Sequence, residues 1–342
     1  MAFNMQTLAR TGFLFIGKSS TQFTGTTVRA NMLNPQLQTR SLIAADRFFT
    51  DKGHPLQLIT PMMDLASATK DFGGEVNYPE NAAPEVSKFV IDIVGGIDNI
   101  ASGVLDLRKD PGIQVSGMLR EHYGSQGPII ANCILGPFSL AARLAKETDL
   151  MMMACEDPDR VLALVEKATT YLIEQANATL AVCGKGTGVM VCEPTAGMLS
   201  GIFAGMYSNY FVKRIMGAVE GAGGVPMYHN CGNSVPGFAD TLNDIGANVV
   251  HIGNGSNNSV NIAGVATSIA DGIGLSGNLD PALFIQTYEK GVFYQMTLAM
   301  LRSMEGFKNY IASCGCDLPF DAKPENMLEF FAAVRDFYAE AA

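Results

Sequence analysis

The chain has 342 residues, of which 48% are apolar and 16% charged, a globular balance that excludes a disordered chain and suffices to bury a large core. Its formal net charge of −10, with no long basic run, argues against a nucleic-acid partner. Seven cysteines without regular spacing do not make a disulfide framework and point to a reducing cytoplasm.

The N-terminus lacks a basic n-region, and the apolar run of residues 13–16 is too short for a signal core. No stretch approaches the roughly 20 apolar residues that span a bilayer, so no membrane partner is expected. Residues 1–50 alternate short apolar pieces with Thr, Ser, Asn and Gln and read as an N-terminal covering segment. Residues 51–342 read as one catalytic domain. Its first strand is expected over residues 56–64, ending on Asp64, which suits either a site or a helix cap. Phe89, Val90, Ile93, Val94, Ile97 and Ile100 recur at helical spacing within residues 84–109, interrupted by Gly95 and Gly96. Residues 127–137 form a buried strand closed by Gly136-Pro137, and the thiol of Cys133 is read as core. Asp157-Pro158 then opens the clearest helix, over residues 157–182. The apolar strand 188–194 carries Glu193 at its end.

In the second half, three strand-like runs meet a Gly-Asn pair: Gly232-Asn233, Gly253-Asn254 and Gly277-Asn278. Their spacing of roughly 20 to 25 residues fits a strand, loop and short helix. Alternation of strands and helices implies a parallel sheet, and about eight such runs in one domain make an α/β fold of the (β/α)8 TIM barrel type the leading architecture. An open doubly wound sheet is the runner-up, but no G-x-G-x-x-G follows an early strand.

His229 and Cys231 stand two apart near the end of one run, so a strand carried through residue 231 points both to one face. An imidazole and a thiolate suit zinc, whose catalytic sites take three protein ligands and keep a position open. Cys314 and Cys316 compete for the third place, and spacing does not choose between them. On a barrel, the ends of the strands share one mouth, which would gather Glu193, Asn254, Asn278 and Asp280 around the same point. Glu193 suits a weak fourth ligand, a carboxylate behind the ligands, or a helix cap. For His251, near another strand end, a satisfied structural histidine is the favoured reading.

Gly136-Pro137-Phe138-Ser139-Leu140-Ala141, Cys192-Glu193-Pro194, His229-Asn230-Cys231-Gly232-Asn233, Gly277-Asn278-Leu279-Asp280-Pro281 and Gly315-Cys316-Asp317-Leu318-Pro319 resemble the uroporphyrinogen decarboxylase superfamily. Within it they are similar to the corrinoid-dependent methyltransferase branch. The resemblance covers residues 128–340 and implies that His229, Cys231 and Cys316 hold a catalytic zinc ion, with Cys316 preferred over Cys314. It also singles out Glu193, Asn233 and Asp280 as catalytic contacts. The decarboxylase itself fits less well, because no Arg-bearing carboxylate-binding motif is found in residues 1–50.

The implied function moves a methyl group between a small donor, with a methoxylated arene preferred in an O-demethylation reaction, and the cobalt of a corrinoid (cobalamin). No D-x-H-x-x-G motif is present, so the corrinoid is expected on a separate partner protein. The alternatives are transfer from methylcobalamin to a thiol such as coenzyme M or to a folate, and a non-catalytic zinc- or corrinoid-binding scaffold. A scaffold would more naturally close its metal with four ligands.

Overall fold

The computed structural model describes residues 5–91, 103, 105–106 and 109–340. Seven parallel strands follow one another in the order β1 (Leu58–Ile59), β4 (Ile129–Leu135), β5 (Gly188–Cys192), β6 (Val225–Asn230), β7 (Val249–Ile252), β8 (Gly274–Leu279) and β9 (Tyr310–Cys314). A small antiparallel hairpin, β2 (Glu75–Asn77) with β3 (Glu85–Lys88), stands apart from them. Phe13 bridges Ser313 in parallel, and Gly17 lies so close to Met62 that a Cβ would touch its backbone. Residues 13–16 therefore fill the gap between β9 and β1, and the ring is that of a (β/α)8 barrel.

This changes the reading of residues 1–50. Phe13, Leu14, Phe15 and Ile16 are at most 2% exposed, and complete burial of each such side chain is worth about 1.5–3 kcal/mol. They are part of the wall and not a cover over it. The preceding helix Met5–Thr11 does cover something, since Met5 packs against Gly274 at the start of β8.

The helical reading of residues 84–109 fails at its start, because Glu85–Lys88 pairs with β2 in the hairpin. Of its remaining positions, Ile93, Val94, Ile97 and Ile100 lie outside the described residues. The first strand is also shorter than expected, confined to Leu58–Ile59.

Three outer helices begin alike. Asn34, Asp110 and Asp157 each accept a backbone N–H with the side chain, and each is followed by proline, at Pro35, Pro111 and Pro158. The cap satisfies an orphan donor, and proline sits where its missing N–H does no harm. Among the described residues no helix is long and apolar enough to cross a membrane.

Candidate metal centre

Parallel register places Cys192 beside His229 and His229 beside His251, so three neighbouring strands present side chains at one level near their C-terminal ends. β6 ends at Asn230, one residue earlier than a strand through Cys231 requires. The side chain of Asn230 accepts from Gly232 N at 2.8 Å and shapes the turn in which Cys231 lies. Gly253 lets that turn close, because a Cβ there would collide with Cys231. On the other side β9 ends at Cys314, and the next turn delivers Cys316.

One ligand atom from each of His229, Cys231 and Cys316 then lies within 4.8 Å of the other two. The Cys316 Sγ to His229 Nε2 distance is 3.8 Å. Two ligands of a tetrahedral zinc ion, at typical Zn–N and Zn–S lengths, are about 3.6 Å apart. The donor set and its spacing fit such an ion, with one position left for another group. Within the cluster the interaction of the two thiols lowers the pKa of Cys231 and raises that of Cys316. Cys314 does not join them; its buried thiol is pushed up to about 12 by loss of solvent.

His229 is 1% exposed and His251 fully buried. Their Nδ1 atoms are 2.8 Å apart, and His251 Nε2 is 2.8 Å from the carbonyl oxygen of Cys314. The rings of Phe13 and Phe15 pack on His251, and Phe15 also reaches His229. Burial first, and His229 second, hold the pKa of His251 well below its ordinary value. His251 is thus a buried, hydrogen-bonded histidine as its position suggested, but its partner is a member of the cluster. The repetition of the strand units was the available signal, since each histidine stands shortly before a Gly-Asn pair.

Glu193, Asn233 and Asp280 have other work in this arrangement. Glu193 is buried and accepts from the backbone N–H groups of Phe138 and Ser139, at 2.9 and 3.0 Å, and from the Ser139 hydroxyl at 2.6 Å. The helix Pro137–Ala145 begins after Gly136, which has no side chain to cap it, so a carboxylate from the neighbouring strand does so. A Cβ on Gly136 would collide with Glu193. Burial raises Glu193 to about 7 against these hydrogen bonds. Among the described residues the metal-type cluster contains His229, Cys231 and Cys316 without Glu193. Of the alternatives for Glu193, the helix cap is the one present.

Asn233 Oδ1 accepts from Ser256 N at 2.6 Å and from the Ser259 hydroxyl at 3.1 Å. Asp280 accepts from Ala282 N and from Asn258 Nδ2. Asn278 donates to the carbonyls of Gly253 and Val260. The asparagines and Asp280 lace together the loops after β6, β7 and β8.

A cavity of about 290 Å³ lies on the β1 and β4 side, with Met62, Asp64, Asp71, Asp110, Cys133 and Tyr171 in its wall. Leu135 in its wall stands in register beside Cys192, and Cys192 beside His229. The inner wall of the cavity therefore backs onto the cluster. Sequence reasoning gave Asp64 a possible place at a site and did not find the cavity.

A sequence profile described as Uroporphyrinogen decarboxylase (URO-D) matches residues 46–337. The chain belongs to the uroporphyrinogen decarboxylase family. No curated protein sequence matches it. Among solved structures, a methyltransferase from Methanosarcina mazei is similar with a TM-score of 0.81 and 17% identity, covering 98% of this chain and 99% of that one. A B12-independent methionine synthase from a Shewanella species, in complex with selenomethionine, is similar with a TM-score of 0.60 and 11% identity, covering 89% and 88%. At these identities the likeness shows a shared fold. The profile also agrees with the family expected from the sequence, and it begins at residue 46, after the wall segment at residues 13–16.

Proposed function

We propose that this member of the uroporphyrinogen decarboxylase family is a zinc-dependent methyltransferase that moves a methyl group between a small donor and the cobalt of a corrinoid carried by another protein. The observation that carries the reading is the convergence of His229 Nε2 and the thiols of Cys231 and Cys316 within 4.8 Å at the barrel mouth. Bound there, zinc would supply a Lewis acid that holds a thiol as thiolate or polarises an ether oxygen. The chain's own part is to orient the ligands. His229 is braced by His251, Cys231 by the turn that Asn230 closes, and Cys316 by Leu318 N, which donates to Phe15 O at 2.8 Å.

The cavity beside β1 and β4 suits the small donor, with a methoxylated arene as the preferred class. Met62, Ile134 and Leu135 offer an apolar side to a ring, and Asp71 and Tyr171 a polar one. A docking partner is supported by Met198, Ile202, Phe203, Met206 and Tyr210, all exposed on the segment after β5. That segment borders the centre, because Gly197 packs directly on Gly232, next to Cys231. Exposed apolar groups gathered in this way commonly mark an interaction surface.

The test is methyl transfer with free cob(I)alamin and a panel of methoxyarenes, then with methylcobalamin and thiols, using zinc-loaded and zinc-stripped protein. Turnover by the loaded form alone is expected. Equal turnover by the stripped form would sink the zinc reading, and decarboxylation of uroporphyrinogen by either form would replace it with the decarboxylase.

A further inference from the structure

His251 makes two hydrogen bonds, and together they determine where the protons on both imidazoles lie. The carbonyl oxygen of Cys314 can only accept, so the Nε2 atom of His251, 2.8 Å away, carries a hydrogen. The contact between the two Nδ1 atoms, also 2.8 Å, needs one hydrogen between two nitrogens. If His251 supplied it, the ring would hold two protons and a positive charge while fully buried against Phe13 and Phe15. Desolvation opposes that charge. His229 therefore donates from Nδ1 and His251 accepts. The lone pair of His229 is left on Nε2, the atom that lies 3.8 Å from Cys316 Sγ.

We propose that His251 is a positioning residue of the metal centre, anchored on the Cys314 carbonyl and holding His229 as the Nδ1–H tautomer so that Nε2 faces Cys231 and Cys316. A metal-bound histidine commonly donates its second N–H to a carboxylate or carbonyl, which fixes the ring and raises its basicity. Here a second histidine takes that place. It also links the two arms of the cluster, because its anchor is the backbone of β9, two residues before Cys316. The affinity consequence rests on the zinc reading above, whereas the tautomer does not.

The two parts can be tested separately. The chain has four histidines, so long-range proton–nitrogen spectra of the metal-free protein labelled with 15N-histidine can be assigned using His54→Gln and His122→Gln. The expected pattern for His229 is a hydrogen on Nδ1; a hydrogen on Nε2 alone would overturn the proposal. Competition against a chromogenic chelator then reads zinc affinity. His251→Leu is expected to weaken it about 10- to 100-fold, the usual range for such outer partners. His251→Gln, whose amide can accept from His229 and donate to Cys314, should recover most of the loss. Wild-type affinity in His251→Leu, or an equal loss in both variants with native circular dichroism, would overturn the positioning role. If His251→Leu does not fold, the His229 tautomer and the affinity of His251→Gln decide. A wild type that binds no zinc yet shows Nδ1–H on His229 would remove the metal reading and leave the tether in place.

Discussion

The two sides of the barrel mouth are built differently. On the side of β6, β7 and β9, soft ligands, paired histidines and interlocking loops converge, and polar groups are matched across strands. On the side of β1 and β4 there is a cavity whose carboxylates are already hydrogen-bonded to the fold: Asp64 accepts from Ala66 N and Ser67 N, Asp110 caps its own helix and accepts from Gln175, and Asp71 accepts from Tyr171 at 2.7 Å. Matching across strands rigidifies one side, and the other stays open around carboxylates that already have partners. In the function proposed, one side holds the ion and the other accommodates the substrate. Substitutions on the two sides should accordingly change different observables.

Cys316→Ala gives the sharpest separation. Loss of one ligand from a site worth about 10–16 kcal/mol in total should cost about 4 kcal/mol, or roughly 10³-fold in zinc affinity, and stop methyl transfer. Cys314→Ala, two residues away in a fully buried position, should keep its zinc and lose only about 1 kcal/mol of stability. Metal analysis of the two purified variants decides, and the opposite pattern would exchange their roles.

Phe15→Ala asks whether the N-terminal wall belongs to the rigid side. It should destabilise the fold by about 3–4 kcal/mol, as expected of a buried phenylalanine, and weaken zinc binding through the loosened His251. A destabilised variant with unchanged zinc affinity would separate that wall from the centre.

Asp110 tests the open side. Burial raises its pKa, so the folded chain retains its proton at pH values where the unfolded chain, with an aspartate near about 3.9, has lost it. The resulting contribution to stability is greatest below that unfolded value and declines as pH climbs through the folded value. Asp110→Asn keeps a good capping residue and should flatten this decline, as read from urea midpoints over a pH series, without altering zinc content. A pH profile unchanged from wild type would mean that Asp110 titrates normally.

The smallest effect is expected from Asn233→Ala. It removes the acceptor for Ser256 N and the Ser259 hydroxyl on an exposed loop, worth about 1 kcal/mol, and should leave zinc affinity within a few tenths of a unit of its logarithm. Loss of activity at unchanged KM would instead return Asn233 to the reacting groups.

Much of this was legible in the residues, for identifiable reasons. Strand-helix alternation needs only hydrophobic period and turn chemistry, and it pointed to the barrel. The His229 and Cys231 pair was visible because two residues on one short segment have little room to separate. Residues 13–16 were misread because four apolar residues among polar neighbours look alike whether they lie over a barrel or complete it. The difference lies in Phe13 meeting Ser313, some 300 positions away. Glu193 shows the same limit, since a strand-end carboxylate is compatible with a ligand or a cap until the helix that starts beside it is in place.

The sequence by itself therefore determined the alternation of strands and helices, the soft ligand types and the helix start at Asp157, because each is set by neighbours within a few residues. Only the tertiary structure decided that residues 13–16 complete the ring, that Glu193 caps a helix, and that His251 braces His229. Each of these depends on strands far apart in the chain coming into register, and the energy of such a contact is realised only when both partners are folded.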